Sequence, residues 1–157
     1  IVENKVLPLR TGVGIIVINN QNKIFVAKRI DNPIDKWQMP QGGVNQGEEL
    51  IDAMKRELIE ETSIKSIELI KEINYWLEYE LPKNLLGKIW KGKFRGQKQK
   101  WFIVKFVGSE TEINLKTKYP EFMEWKWIEI DELINVIVDF KRNVYKELIS
   151  EIKKINI

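Results

Sequence analysis

The chain has 157 residues, of which 43% are hydrophobic and 31% are charged, and its net charge is +3. This length and composition are typical of one globular domain and exclude a disordered or collagen-like chain. The sequence contains no cysteine and no histidine, so disulfides are excluded and proton transfer falls to Asp, Glu, Lys or Tyr. The apolar runs are too short to cross a bilayer, and residues 1–10 lack the apolar core of a signal peptide. We therefore expect a single domain over residues 1–157, in the cytoplasm and without a membrane partner.

The first third of the chain predicts a β-hairpin followed by a glycine-rich turn. Residues Gly12–Asn19 and Lys23–Arg29 have strand-like patterns, and the polar residues between them favour a turn. Pro33 interrupts the pattern, and Trp37–Pro40 is predicted as a short extended segment. This segment leads into a turn over Gln41–Gly43, directly before the clearest helix of the chain.

That helix is predicted over Glu48–Thr62. Its apolar positions share a helical spacing that indicates one buried face. They are Leu50, Ile51, Met54 and Leu58. Glu57, Glu60 and Glu61 follow an i, i+3, i+4 pattern and therefore lie on one side of the helix. Like charges at this spacing destabilise an isolated helix, and Mg²⁺ is the natural compensating ion because it takes oxygen ligands.

The second half of the chain predicts three further strands and two helices. The strands are expected over Ser66–Trp76, Lys100–Val107 and Glu124–Ile130. Asp131 is predicted to cap a short helix, and Arg142–Lys154 has the pattern of an amphipathic helix. Strands first, one helix in the middle and helices at the end predict an α/β fold with a mixed sheet between helices.

One segment between the predicted strands is rich in lysine. From Leu81 to Ser109 the chain has no acidic residue. The basic residues of this segment are Lys83, Lys88, Lys91, Lys93, Arg95, Lys98, Lys100 and Lys105. A positive region beside an acidic metal site suits a polyanionic substrate, whereas a solvated loop without a ligand is the alternative interpretation. Ile89 and Trp90 predict that part of the loop packs on the domain.

The residues around the predicted acidic helix follow a specific pattern, G-x5-E-x7-R-E-aliphatic-x-E-E-x-G-aliphatic. It is filled by Gly42, Glu48, Arg56, Glu57, Leu58, Glu60, Glu61 and Ile64. On these residues the chain resembles the Nudix hydrolases, whereas a solvated charged face on an ordinary helix is the alternative interpretation. Ser63 is the one departure, because the family usually has glycine there. This position follows the helix in the left-handed region, which Ser adopts at a modest cost.

The resemblance extends beyond this pattern. The segments KWQMPQGGVN, YWLEYELP, FRGQKQKWFIVKF, YPEFMEWKW and FKRNVY look like the bacterial RNA pyrophosphohydrolase branch of the family, also described as dinucleoside polyphosphate hydrolases. The resemblance implies the Nudix fold, in which a mixed β-sheet lies between helices. It covers most of the chain from Arg10 to Tyr145.

The resemblance also implies a metal site for Mg²⁺, for which Mn²⁺ or another divalent cation could substitute. The implied ligands are Gly42, through its backbone carbonyl, and Glu57, Glu60, Glu61 and Glu121. Metals held there would bridge the substrate phosphates and activate an attacking water. Glu60 is the favoured general base, although branches of the family differ on this point, and Arg56 is expected to hold a catalytic glutamate in place. On the residues alone, Glu121 is an ordinary loop carboxylate.

Other positions match the substrate-binding residues of this branch. They are Arg10, Arg29, Gln41, Tyr79, Val138, Phe140 and Lys141. Arg10 and Lys141 match positions expected to contact 5′ phosphates, and Arg29 and Phe140 match positions expected to stack on bases. The alternative role is packing in the core, and it is open for Tyr79, Gln97, Gln99 and Phe140.

The implied function is a metal-dependent hydrolase in mRNA decay that converts 5′-triphosphate or diphosphate RNA ends to 5′ monophosphates. Dinucleoside polyphosphates such as diadenosine tetraphosphate are a second implied substrate. A pyrophosphatase that destroys oxidised nucleoside triphosphates is the alternative enzyme. A Nudix module that binds nucleotides or proteins without catalysis is the alternative from another class, which the intact glutamates disfavour.

Overall fold

The computed structural model describes residues 7–31 and 34–155. Within these ranges the chain forms strands β1 (Leu9–Ile18), β2 (Ile24–Arg29), β3 (Gln41–Gly43), β4 (Ile67–Glu72), β5 (Leu77–Glu80), β6 (Gly96–Phe106) and β7 (Phe122–Ile128). The α-helices of the same ranges are α1 (Leu50–Thr62), α2 (Leu133–Val136) and α3 (Arg142–Lys154). None of these helices is long and apolar enough to span a membrane.

The strands form one mixed sheet in the order β4-β6-β1-β2-β7, with β3 paired to β1 and β5 paired to β6. Strands β1 and β6 are parallel over their whole length, from the pair Leu9 and Gly96 to the pair Ile18 and Lys105. The other strand pairs are antiparallel. Strand β1 therefore touches three neighbours and forms the centre of the fold.

Helices cover both faces of the sheet. On one face, Met54 and Leu58 of α1 pack with Val13, Phe25 and Phe102, all fully buried. On the other face, the side chains of α2 and α3 pack with those of β1 and β6. This second core includes Ile16, Trp101, Leu133, Tyr145 and Leu148. The predicted α/β fold with a mixed sheet between helices is confirmed.

The predicted hairpin is confirmed by the antiparallel pairing of β1 and β2. The prediction of a turn over Gln41–Gly43 is wrong, because these residues form β3 and pair with Gly12–Gly14 of β1. Glycines allow this close approach. A Cβ atom on Gly42 would overlap the Glu57 carboxylate, and one on Gly12 would meet the Gln97 side chain. The glycines thus bring the β3 backbone against α1.

Helix α1 begins at Leu50, two residues later than predicted, and ends at Thr62 as predicted. The delay has a local cause, because Gly47 has a φ of 78° and the backbone N–H of Asn45 donates to Glu48 Oε1 at 3.0 Å. Ser63 has φ 67° and ψ 8°, which confirms the left-handed conformation expected after the helix.

The predicted strand Ser66–Trp76 is in fact shorter. It ends at Glu72, the chain bends at Asn74, and a separate strand, β5, begins at Leu77. Strand β6 begins at Gly96, so the last part of the lysine-rich segment is sheet rather than loop. Strand β7 is shifted by two residues towards the N-terminus of the predicted segment.

The predicted capping role of Asp131 is wrong. A 3₁₀ turn covers Ile130–Glu132, and α2 begins at Leu133 with Glu132 at the N-cap position. The Asp131 carboxylate instead pairs with Lys153 Nζ at 2.6 Å. Helix α3, in contrast, has the predicted bounds.

Candidate active site

The three glutamates of α1 differ in their exposure to solvent. Glu61 is buried, with 3% of its surface exposed. The Glu57 side chain is 13% exposed, whereas that of Glu60 is 58% exposed and turns to solvent. The i, i+3, i+4 spacing therefore aligns the carboxylates along one side of the helix, but at increasing depth from Glu60 to Glu61. One buried, one half-buried and one exposed acid can perform different tasks.

Arg56 connects the helix to the strand before it. Its Nε and Nη2 donate to the two Glu48 oxygens at 2.8 and 2.9 Å, and Nη2 also donates to the Gly43 carbonyl at 2.8 Å. Its Nη1 donates to Glu57 Oε1 at 2.8 Å and to Glu60 Oε2 at 3.2 Å. The hydrogen bond from Arg56 lowers the pKa of Glu48 to about 2. Arg56 therefore fixes the orientation of Glu57 relative to β3.

Glu121 arrives at the same site from the residue before β7. Its backbone carbonyl accepts from the Ile30 N–H at 2.9 Å. Burial raises the pKa of Glu61 well above its usual range, and the charge and hydrogen bond of Glu121 raise it further. The pKa of Glu57 is also raised, first by burial and in smaller part by the charges of Glu60 and Glu121. The structure thus gathers the predicted carboxylates into one acidic corner, defined here as Glu57, Glu60, Glu61 and Glu121.

The acidic corner fits a hard cation by its chemistry. All its side-chain donors are carboxylate oxygens, and Glu61 Oε1 is buried without a hydrogen-bond partner in the described residues. Across residues 7–31 and 34–155, no group of three acidic side chains is already arranged to hold a metal ion. Arg56 forms ion pairs with both Glu57 and Glu60, which hold these two carboxylates towards the guanidinium.

Next to the acidic corner lies a largely buried cluster of polar side chains, named the polar groove here and defined as Arg10, Gln41, Tyr79, Gln97 and Lys141. Arg10 Nη1 donates to Gln97 Oε1 at 3.0 Å, and Gln97 Nε2 donates to the Tyr79 hydroxyl at 2.7 Å. Lys141 Nζ donates to Gln41 Oε1 at 3.4 Å and lies 5.4 Å from the Tyr79 ring centroid. The structure therefore brings four predicted substrate-binding residues together around one buried glutamine.

Lys141 is buried with 7% exposure, and it has no acidic partner within ion-pair distance in the described residues. Burial and, in smaller part, the nearby Arg29 charge together lower its pKa to about 7, while Glu61 acts in the opposite direction. A buried cation that lacks a counter-ion is poised to accept an anionic ligand.

Gln41 joins the two parts of the site. Its backbone N–H opposes the rise in the pKa of Glu61, whereas its side-chain Oε1 accepts from Lys141 Nζ at 3.4 Å. Because β3 places Gln41 between α1 and α3, one residue links the acidic corner to the polar groove.

The remaining predicted substrate residues lie at the border of the groove. Arg29 donates from Nε and Nη2 to Asp31 at 2.8 Å each, and the hydrogen bond raises the pKa of the guanidinium. The Phe140 ring is half-buried and packs 5.6 Å from the Tyr79 ring centroid. Val138 is half-buried against the second core, and its carbonyl accepts from the Lys141 N–H at 3.1 Å. Phe140 therefore packs against the groove, while Val138 supports its backbone.

A model of the NUDIX domain matches residues 8–148 of the chain. The chain belongs to the NUDIX family. A protein named RNA pyrophosphohydrolase from Pelagibacter ubique is 61% identical over 154 residues, which cover 98% of each chain. A protein of the same name from Rickettsia bellii is 46% identical over 149 residues, covering 95% of this chain and 92% of that one.

Solved structures agree with the family assignment of this Nudix chain. The E. coli dihydroneopterin triphosphate pyrophosphohydrolase superposes with a TM-score of 0.68 at 18% identity, covering 92% of this chain and 99% of that one. This likeness shows the fold alone. Together with the family match and the near-full-length relatives, it confirms the prediction that the chain is a Nudix hydrolase.

The sequence did not decide whether Gln97 lines the substrate site or packs in the core, and it predicted only a packing role for Trp90. Gln97 is fully buried at the centre of the groove, and Trp90 lies against Arg10. A signal for Gln97 exists in the sequence of β6, where Gln97, Gln99 and Trp101 alternate with Lys98 and Lys100. Such alternation indicates one buried face, so a polar pair on that face of this Nudix hydrolase is unusual.

Proposed function

We propose that this Nudix hydrolase removes phosphates from the 5′ end of triphosphorylated or diphosphorylated RNA and leaves a 5′ monophosphate, with Mg²⁺ or Mn²⁺ as cofactor. The observation that carries this proposal is the 61% identity, over 98% of both chains, to a protein named RNA pyrophosphohydrolase. Diadenosine polyphosphates are a second proposed substrate, since they also present a nucleoside attached to a polyphosphate.

The acidic corner supplies the proposed chemistry. Glu57, Glu61 and Glu121 would hold the divalent cations, together with the Gly42 carbonyl. When bound, these ions would neutralise the phosphate charge and activate the attacking water. Glu60 is proposed to accept the proton of that water, because its carboxylate is the exposed member of the α1 set. Arg56 would hold Glu57 and Glu60 in position through its hydrogen bonds to both.

The polar groove would bind the rest of the polyphosphate. Arg10 and Lys141 are proposed to contact the 5′ phosphates. Both are cations that lack a carboxylate partner among the described residues, so a phosphate would complete their interactions. Gln41 would hold the side chain of Lys141 in position relative to Glu61 while Lys141 contacts a phosphate.

The bases are proposed to bind between Arg29 and Phe140. The charge of Arg29 acts on both Glu121 and Lys141, so this side chain lies near each part of the site. A planar guanidinium and an aromatic ring are suitable partners for unstacked bases of single-stranded RNA. Tyr79 would support the Phe140 ring, which packs on it.

A comparison of substrates with one enzyme preparation tests the proposal. Triphosphorylated RNA, diadenosine tetraphosphate and nucleoside triphosphates would be offered with Mg²⁺ and, separately, with Mn²⁺. We expect turnover of the RNA to a 5′ monophosphate. Cleavage of the mononucleotides alone would contradict the RNA proposal and favour a nucleotide-sanitising enzyme.

The proposal of a cytoplasmic enzyme can be tested by fractionation of cells. An active protein that stays with the cytosolic fraction is the expected result. Recovery of the protein with membranes would contradict it.

A further inference from the structure

Arg10 is held at the groove by neutral partners. Its guanidinium lies 5.4 Å from the centroid of the Trp90 indole, and Gln97 Oε1 accepts from it at 3.0 Å. A Cβ atom on Gly43 would overlap the same guanidinium, so the β3 backbone closes another side. These contacts enclose the cation between an aromatic face, an amide and a glycine.

Three of the other four arginines are held by carboxylates: Arg29, Arg56 and Arg95 pair with one at 2.8, 2.8 and 3.7 Å, whereas Arg142 donates to a backbone carbonyl at 2.7 Å. Within the described ranges 7–31 and 34–155, Arg10 has no such pair. A carboxylate would fix the guanidinium but would also cancel its charge, whereas an indole attracts the cation and leaves its charge available to a phosphate.

The residue that makes this contact, Trp90, has an unfavourable backbone conformation. Its φ is 52°, and the following residue, Lys91, has a φ of 57°. Positive φ is unfavourable for bulky side chains and persists only where the surroundings impose it. Here the N–H of Lys93 donates to the Trp90 carbonyl at 3.2 Å, and the Phe94 ring packs edge-on at 6.1 Å.

The loop that carries Trp90 is attached to the strand that carries Arg10. The N–H of Arg95 donates to the Pro8 carbonyl at 3.0 Å, and the N–H of Leu81 donates to the Arg95 carbonyl at 2.8 Å. Pro8 is two residues before Arg10. The base of the loop is therefore anchored to the start of β1, which keeps the segment that carries Trp90 beside Arg10.

We propose that Trp90 is a positioning residue that holds the Arg10 guanidinium at the phosphate-binding groove without neutralising it. This inference rests on the proposed function, in which Arg10 contacts the 5′ phosphates. Trp90 acts through Arg10 and affects binding of the polyphosphate rather than the chemical step.

Two variants distinguish the effect of the aromatic ring of Trp90 from the effect of apolar packing alone. Trp90→Leu removes the ring but keeps an apolar side chain, and Trp90→Phe keeps a ring. We expect Trp90→Leu to raise KM for triphosphorylated RNA about tenfold and to change kcat less than about twofold. Trp90→Phe should stay within about threefold of the wild type in KM. Trp90→Met, which also lacks a ring, provides a second variant if Trp90→Leu does not fold.

Trp76→Leu is the matched control. Two cations also lie over the Trp76 indole, because the Nζ atoms of Lys98 and Lys100 are 5.1 and 5.4 Å from its ring centroid. These lysines alternate with Gln97 along β6 and so project from the opposite face of the sheet. We expect no change of KM in this variant. An unchanged KM in Trp90→Leu, or an equal rise in Trp76→Leu, would overturn the proposal.

A double-mutant cycle tests whether Trp90 acts through Arg10. In an Arg10→Ala background, Trp90→Leu should produce no further rise of KM, because the group that it positions is gone. If the rise of KM in the double variant equals the product of the rises in the two single variants, the proposed coupling is contradicted.

An NMR measurement tests the same contact without any substrate. The Arg10 side-chain Nε–Hε signal, assigned by its loss in Arg10→Ala, should carry a ring-current shift that is kept in Trp90→Phe and lost in Trp90→Leu. A signal that does not move in Trp90→Leu would overturn the positioning role. If the wild type fails to cleave triphosphorylated RNA, the proposed function fails, while this measurement still decides the role of Trp90.

Discussion

The acidic corner and the polar groove are adjacent but are assembled in opposite ways. Glu57, Glu60 and Glu61 lie within little more than one turn of α1, so helical spacing alone aligns them. The groove takes Arg10 from β1, Gln97 from β6 and Lys141 from the residue before α3. Three of the four carboxylates of the acidic corner are therefore local to α1 and only Glu121 comes from a distant part of the chain, whereas every contact of the polar groove depends on the complete tertiary fold.

This contrast suggests that substitutions in the acidic corner affect chemistry, and the largest effect is expected for Glu60→Gln. If Glu60 is the general base, kcat should fall by about 10²- to 10⁴-fold. The melting temperature should change little, because the Glu60 side chain is 58% exposed. Steady-state kinetics on triphosphorylated RNA measure the effect. Glu68→Gln, an exposed glutamate on β4, is the control, and full activity of Glu60→Gln would remove this residue from the mechanism.

For the acidic corner, we also predict that the affinity for a metal ion depends on pH. Because the pKa of Glu61 is raised by burial and by Glu121, a proton competes with the cation for this carboxylate. Mn²⁺ affinity should therefore weaken as the pH falls, by up to about tenfold per pH unit. Calorimetric titrations at several pH values test this. Glu61→Gln should bind Mn²⁺ more weakly and with less pH dependence, and an equal slope in both proteins would contradict the role of Glu61.

In the polar groove, Lys141→Met tests the burial of an unpaired cation. The pKa of Lys141 is lowered from 10.5 to about 7, so the folded protein binds fewer protons than the unfolded chain between these values. The free energy of unfolding should therefore rise with pH across this window, by at most about 1.4 kcal/mol per pH unit.

Lys141→Met should lose this pH dependence and gain stability relative to the wild type below pH 7, while KM for RNA increases. Urea unfolding at a series of pH values measures the first effect. Lys146→Met, at an exposed position of α3, is the control that should keep the wild-type pH dependence. A Lys141→Met protein with the wild-type slope would show that the buried ammonium does not cause it.

The smallest effect is expected for substitutions of Ser63, the residue that follows α1, and it concerns the free energy of unfolding. Ser63→Gly would relieve the left-handed backbone but lose the hydrogen bond from Ser63 Oγ to the Asn114 carbonyl at 2.8 Å. The net change in the free energy of unfolding should stay within about 1 kcal/mol. Ser63→Val should be less stable than Ser63→Gly by about 1–2 kcal/mol, since a β-branched residue is unsuited to positive φ. Thermal unfolding compares the two, and equal stability would contradict this account.

The contrast between the two halves also explains what the sequence could predict. The alignment of Glu57, Glu60 and Glu61 and the left-handed Ser63 were predictable because each depends on the local geometry of α1. The role of Arg56 followed from the resemblance, since two of its partners, Glu48 and Gly43, lie before the helix. Strand β3 was not predictable from the sequence. Two adjacent glycines are as typical of a turn as of a strand whose backbone lies close to other atoms. The role of glycine here depends on Glu57 and on β1, which lie elsewhere in the chain.

The polar groove was predictable only through resemblance to the family. An alternating pattern shows which residues of β6 share a face, but it does not give the partner or the register of the strand. The contact between Arg10 and Gln97 follows from the parallel pairing of β1 with β6. The position of Trp90 depends further on a loop with a positive-φ tryptophan, a conformation that no sequence preference favours.

The parallel β1–β6 ladder has a consequence for how the protein acquires activity during synthesis. It joins residues 87 positions apart, so β1 must wait for β6 to leave the ribosome before it can pair. Helix α1 can form earlier, but the groove needs Lys141 as well, close to the end of the chain. Long-range pairing of this kind slows folding. A nascent chain would therefore carry the acidic helix for some time before the polar groove beside it is complete.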